Sequence, residues 1–231
     1  YWQVCRAGVD AAPRTLGQIL LDCSRPLQLW EGGLVFFGGL LGAVGASVLF
    51  CRRRGLDFFR VADLVIPFVA LGHVLGRLGC YAAGCCYGKV TTLAFGAVFP
   101  SSSVAFQELR DAGHLALGAS VTPPLHPTQL YEAAAELGLY FLLLGLGPRK
   151  RFFGQVLLTY LLVYPLARFV IEIFRADPDR RFLHAFSTPG LARTLGLDPA
   201  APLFLSTSQL ISLGLVLGAA WLWRRRARQT G

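Results

Sequence analysis

Apolar residues run in blocks along this chain, and the polar ones gather between them. Gly32 to Cys51 is the first block, about twenty residues, the length of a helix that crosses a bilayer core. Val61 to Leu78 is the second, Thr128 to Gly147 the third, Gly154 to Phe174 the fourth and Ser206 to Trp223 the fifth. The pattern predicts an all-α fold, a polytopic transmembrane helix bundle in which residues 1–231 form a single membrane domain with five spans. Two polar connections, 89–127 and 175–205, become its extracytoplasmic loops, and short strands fit Leu93 to Phe99. Residues 1–31 mix Arg6, Asp10, Arg14, Asp22 and Arg25 with prolines. Nothing there spans, although Gly17 to Cys23 suits a short interfacial helix.

Composition agrees with the pattern. The chain is 54% hydrophobic and only 15% charged, where soluble domains run nearer a quarter charged. It starts at Tyr1 and contains no methionine, so one or two further helices are expected upstream. The net charge of +9 would suggest nucleic acid if the charges were spread. They are not: Arg52 to Arg54 follow the first block, Arg149 to Arg151 separate the third and fourth, and Arg224 to Arg226 with Arg228 follow the last. Alternating spans put these clusters on one side, as the positive-inside rule requires of cytoplasmic loops. Nucleic acid is therefore not an expected partner.

Two charges break the apolar pattern. Arg77 ends the second block and Arg168 lies inside the fourth. Arginine keeps its proton in proteins, and a charge at membrane depth costs about 2.5–3.5 kcal/mol even on insertion scales. Each needs an anionic partner or a wet cavity. Glu132, Glu136 and Glu172 could supply structural ion pairs, and Glu172, four residues after Arg168, shares its helix face. Pairing does not explain why the charges were placed in the bilayer, and intramembrane ionisable residues are functional by default. A guanidinium fork suits a phosphate oxyanion, so Arg77 and Arg168 are read as the grip on an anionic lipid headgroup.

The unbroken string His126-Pro127-Thr128-Gln129-Leu130-Tyr131-Glu132 opens the third block. Pro127 suits a first helical turn and Thr128 suits its cap. With this string the chain resembles the bacterial prolipoprotein diacylglyceryl transferases, whose hallmark is HPTQLYE. Trp30 to Leu40 matches that family's glycine-rich start of a span, and Gly76-Arg77-Leu78-Gly79 begins its signature segment. Tyr164 to Phe169 with Glu172 to Arg175 and Asp177-Pro178-Asp179 matches its late helix, and Ser208 to Ser212 the start of its last span. The likeness covers nearly everything from Trp30 onward. It implies transfer of the diacylglyceryl group of phosphatidylglycerol to the cysteine thiol of a secreted prolipoprotein bearing a lipobox, releasing glycerol phosphate. It also implies a multi-pass protein of the bacterial inner (cytoplasmic) membrane that needs no cofactor. By the same likeness Arg77, Arg168, Tyr164 and His126 are the catalytic residues. Arg77, Arg168, Gly38, Gly39, Gln129, Tyr131, Glu132 and Glu172 would hold the substrate.

This chain departs from the family at three polar positions. Phe37 stands where a histidine base is usual, Cys80 where asparagine is, and Cys85 where glutamate is. His73, one turn before Arg77 on the same face, could supply the missing base. Cys80, Cys85 and Cys86 lie close to Arg77 in sequence, where a lowered pKa would make a thiol reactive. Cys80 and Cys85 are thus added to the catalytic candidates, as nucleophile, acceptor or redox pair. Paired C-x-x-C spacing is absent, so no metal is expected. Cys5 and Cys23 would face the oxidising side and could pair. A diverged homologue that binds phospholipid or runs thiol redox chemistry without lipoprotein transfer is the alternative.

Overall fold

The structure is a computed structural model of the 231-residue chain, and it describes residues 35–116, 118–176, 182–186, 190, 194–198 and 204–228. Cys5, Cys23 and the interfacial helix expected at 17–23 lie outside the described residues, as does Asp177-Pro178-Asp179. Two compact units divide the chain, Tyr1–Phe58 and Phe59–Gly231. The first contains helix α1 (Val35–Arg53), which ends in Arg52 and Arg53. Gly38 and Gly39 are in its first turns.

The second unit starts with the long helix α2 (Phe58–Ala83) and continues through α3 (Val104–Asp111), α4 (Thr128–Leu146) and α5 (Gln155–Ile171). Single 3-10 turns extend α4 over Gly147–Arg149 and α5 over Glu172–Phe174. Two short antiparallel strands follow, β1 (Phe182–Phe186) and β2 (Phe204–Ser206), before the last helix, α6 (Thr207–Ala227). The described residues are thus mostly helical, with one strand pair. The strands expected at Leu93 to Phe99 are instead isolated bridges, Ala97 to Leu125 and Pro100 to Val121. The turn at Leu93–Gly96 leaves too few consecutive residues for a ladder.

Three helical segments, Phe58–Ala83, Thr128–Arg149 and Gln155–Phe174, are long and apolar enough to cross a membrane. They meet through Ala70 of α2, Leu139 and Leu143 of α4, and Val156 and Tyr160 of α5. Their outer faces are apolar too: Leu64 is 71% exposed and Phe141 62%. Leaving such a side chain in water forgoes about 1.5–3 kcal/mol, so a belt of them marks a surface made for lipid.

One end of this unit is fastened by a carboxylate acting on another helix. Asp63 of α2 is buried and accepts from the backbone N–H of Gly154 at 2.9 Å and of Leu157 at 3.0 Å, while Lys150 Nζ reaches it at 3.1 Å. Gly154, the N-cap of α5, has φ +96 and no side chain of its own with which to cap. A Cβ there would stand 2.7 Å from the Phe59 ring. Asp63 therefore caps α5 from outside, where an anion also meets the positive helix end. The start of α2 carries Phe59, under the Arg226 guanidinium at 3.7 Å from the ring centroid. The basic residues of the α4–α5 turn and of the α6 terminus thus gather at one end. Asp63→Ala is expected to destabilise the unit by about 3–5 kcal/mol, because Lys150 loses its buried partner. Thermal unfolding in detergent measures it, and a shift within error would show that the cap carries little.

At the opposite end the polar connection folds back. Gly88 N donates to His126 O at 2.9 Å, Lys89 N to Phe174 O at 2.7 Å, and His126 N to Lys89 O at 2.9 Å. These bonds tie the exit of α2, the start of α4 and the end of α5 together. A Cβ on Gly88 would meet His126 Cβ at 2.6 Å and the carbonyl oxygens of His126 and Phe174 at 2.7 Å. Only glycine fits that crossing.

Candidate active site

Arg77 of α2 and Arg168 of α5 turn to one carboxylate. Glu132 of α4, 2% exposed, takes Arg77 Nε on Oε2 and Arg168 Nη1 on Oε1 at 2.8 Å. Arg175 joins from beyond α5, its Nη1 3.3 Å from the same Oε1. The second fork of Arg168 holds Glu172 at 2.8 Å, the pair four residues apart that the sequence anticipates. Glu172 also accepts from Ser206 Oγ at 3.2 Å. Ser206 in turn forms a capping box with Gln209 at the start of α6, which anchors that helix to the arginine cluster.

A second chain of contacts runs deeper in α2 and α4. His73 Nδ1 lies 2.7 Å from Glu136 Oε1, and Arg77 Nε donates to His73 Nε2 at 3.3 Å. This pattern places the imidazole proton on Nδ1 and leaves Nε2 as an acceptor. Tyr160 Oη also reaches Glu136, at 3.4 Å, and the Tyr164 ring lies 5.4 Å from that of His73. The cluster thus sets three guanidiniums against the carboxylates of Glu132, Glu136 and Glu172, with His73 between. Beside it a small cavity of about 20 Å³ opens between α4 and α5. Glu132, Glu136, Tyr164 and Arg168 line its polar end, and Leu139, Val163 and Ile171 its apolar part.

The HPTQLYE residues divide. Glu132 enters the arginine cluster, whereas His126 and Tyr131 bond to each other, Nδ1 to Oη at 3.0 Å, among the rings of Phe95 and Phe174. His126 is wholly buried. Burial pushes its pKa below the ordinary 6.5, and the Lys89 charge adds to this, against the Leu195 carbonyl. Folding therefore favours the neutral ring. The unfolded chain takes up the extra proton as pH falls through about 6.5, so stability is full above that pH and drains below it. A lower unfolding temperature at pH 5 than at pH 8 is expected, with the difference shrinking in His126→Asn; an unchanged difference would assign the loss to another group.

Thr128 does not cap α4: Pro127 stands at the N-cap, and Thr128 Oγ1 donates to Cys86 O at 2.8 Å. Gln129 Nε2 holds Cys85 O at 2.7 Å. Cys80, on the last turn of α2, and Cys85 and Cys86 after it bring their sulfurs within 4.8 Å of one another. The lowered thiol pKa expected there is reversed at Cys85, which is pushed up to about 12. Burial is the main cause, followed by the neighbouring thiols. A thiol held protonated is a poor nucleophile, and Cys85 does not suit that role.

Reading residues in isolation missed Glu136 as the partner of His73, and Arg175, which the hydropathy pattern assigns to a loop. Ser206 was missed as well, although Ser206-x-x-Gln209 has the spacing of a capping box. The model of the family described as prolipoprotein diacylglyceryl transferase matches residues 19–225. A phosphatidylglycerol–prolipoprotein diacylglyceryl transferase of Clostridium tetani is 34% identical over 159 residues, 69% of this chain and 58% of that protein. One of Legionella pneumophila is 32% identical over 197 residues, 85% and 64%, and one of Geobacter sulfurreducens 40% over 160 residues, 68% and 54%. The chain spans less than two thirds of the length of these curated relatives. With a match running almost from end to end, it belongs to the prolipoprotein diacylglyceryl transferase family.

Proposed function

We propose that this chain transfers the diacylglyceryl group of phosphatidylglycerol to the lipobox cysteine of a secreted prolipoprotein. The observation that carries the reading is the convergence of Arg77, Arg168 and Arg175 on Glu132 at the polar end of a cavity between two apolar helices. The exposed apolar faces of α4 and α5 suit an acyl chain, and the headgroup phosphate would meet the guanidiniums. In the reaction the acceptor sulfur forms a bond to the glycerol carbon that carries the phosphate. The carbon–oxygen bond breaks, and glycerol phosphate leaves with the electron pair. Arg77 and Arg168 stabilise the charge gathering on the leaving oxygens. The acceptor must lose its proton first, since thiolate is the nucleophile.

His73 is the base in this reading. Its Nε2 lone pair accepts from Arg77 Nε and is released when that guanidinium turns to the phosphate. Glu136 then holds Nδ1–H and stabilises the imidazolium, as a carboxylate does for a catalytic histidine. The charges support this order. The arriving phosphate adds a negative charge to a balanced cluster, and the proton on His73 offsets it. His126, Gln129 and Tyr131 act as positioning residues that hold the start of α4 and the cysteine loop. Gly38 and Gly39 are proposed for the lipid side of the substrate.

The remaining topology follows the charges. Five spans near 32–51, 61–78, 128–147, 154–174 and 206–223 would put the basic ends in the cytoplasm and the cluster at the outer half of the bacterial inner membrane. The test is transfer by the full chain in vesicles of phosphatidylglycerol, with a lipobox peptide as acceptor. A thioether-linked diacylglyceryl peptide and free glycerol phosphate in equal amounts are expected. No thioether with phosphatidylglycerol or any other common phospholipid would remove the reading.

A further inference from the structure

The cysteine loop is built as a ligand set, and the transfer reaction does not use it. Cys80, Cys85 and Cys86 are free thiols, each partly buried, with all three sulfurs within 4.8 Å of one another. Three sulfurs around a zinc-sized ion at about 2.3 Å sit about 3.8–4.0 Å apart, so closing the set takes a shift of about 1 Å or less. The loop is held in place from a second helix: Thr128 Oγ1 bonds the Cys86 carbonyl and Gln129 Nε2 the Cys85 carbonyl. Cys86 has φ +57, and no other described residue except glycine has a positive φ. A side chain in that conformation persists only where its surroundings over-determine it, and such residues cluster at functional sites. The turn does what C-x-x-C spacing does elsewhere, bringing Cys85 and Cys86 back over Cys80 within one turn of the helix end.

We propose that Cys80, Cys85 and Cys86 form a three-thiolate site for a soft d10 cation of the Zn²⁺ type, with one coordination position left for water or an external ligand. Thiolate sulfur selects such ions over Mg²⁺ or Ca²⁺. Each thiol gives up its proton to the solvent on binding, so affinity rises with pH. Three thiolates on a divalent ion carry one excess negative charge, and Arg77, one turn before Cys80 on the same face of α2, lies on the side that offsets it. The ion would fix the end of α2 that presents Arg77.

The experiment uses the full chain in detergent, in a C5S/C23S/C51S background so that only these three thiols remain, with Cd²⁺ as probe. The sulfur-to-cadmium charge-transfer band should saturate at one ion per chain and vanish when Zn²⁺ is added in excess. Cys80→Ser, Cys85→Ser and Cys86→Ser should each weaken binding by more than roughly tenfold, the lower bound seen even for outer-shell partners. Because a serine in this loop could unfold it, a second measurement uses the three-thiol protein itself: Zn²⁺, and not Mg²⁺, should slow maleimide labelling of all three cysteines together. Absence of the charge-transfer band, unchanged Cd²⁺ binding in Cys86→Ser, or a disulfide joining Cys80 to Cys85 or Cys86 in protein prepared without oxidant would overturn the proposal.

Discussion

Replacing Arg168 with Gln is expected to lower the turnover of diacylglyceryl transfer by on the order of 10²–10³, the usual cost of removing a preorganised donor from a developing oxyanion. The guanidinium also neutralises Glu132 and Glu172, which are both buried. Stranding a buried carboxylate costs about 3–5 kcal/mol, so part of the loss in the single variant could come from the fold. The double variant Arg168→Gln with Glu172→Gln removes one charge of each sign and separates the two effects. It should insert and unfold near the wild-type temperature while remaining inactive. Arg168→Lys keeps the charge and loses the fork, and its activity should lie between wild type and Gln. Turnover of the double variant within a factor of two of wild type would show that Arg168 is a structural ion-pair partner and nothing more.

Arg168 also shows what hydropathy could and could not read. The apolar runs located α4 and α5 nearly to the residue: 128–147 and 154–174 against Thr128–Leu146 and Gln155–Ile171 with its 3-10 extension. The second run was cut short at Leu78, whereas α2 continues to Ala83. A window of hydrophobicity ends at a charge, but the helix does not, because Arg77 finds Glu132 across the bundle. Long-range pairing was the part least legible. Spacing predicted Arg168 with Glu172, four apart on one helix, and could not predict that Arg77, Arg168 and Arg175 share the Glu132 carboxylate. The error on the cysteines has the same origin. Sequence proximity set Cys85 near Arg77, whereas in three dimensions its nearest titratable neighbours are Cys80 and Cys86, whose effect is the opposite.

In the proposed mechanism His73 supplies the base, and it carries the second large effect. Its side chain sits between Glu136 and Arg77, so it has the orienting carboxylate on Nδ1 and, once Arg77 turns away, the Nε2 lone pair that proton abstraction requires. His73→Asn should reduce transfer by about 10²–10⁴, the range for a positioned general base. A packed histidine would not respond to pH as a base does. In wild type the rate should depend little on the ionisation of the acceptor thiol. In the variant it should keep climbing with pH toward the range where the acceptor thiol ionises unaided, and the deficit should narrow there. Glu136→Gln keeps an acceptor for Nδ1–H but removes the charge that stabilises the imidazolium. Its loss should therefore be smaller than that of His73→Asn. Equal rates for His73→Asn and wild type at neutral pH would return His73 to the packing and leave the proton to a group that Arg77 does not guard.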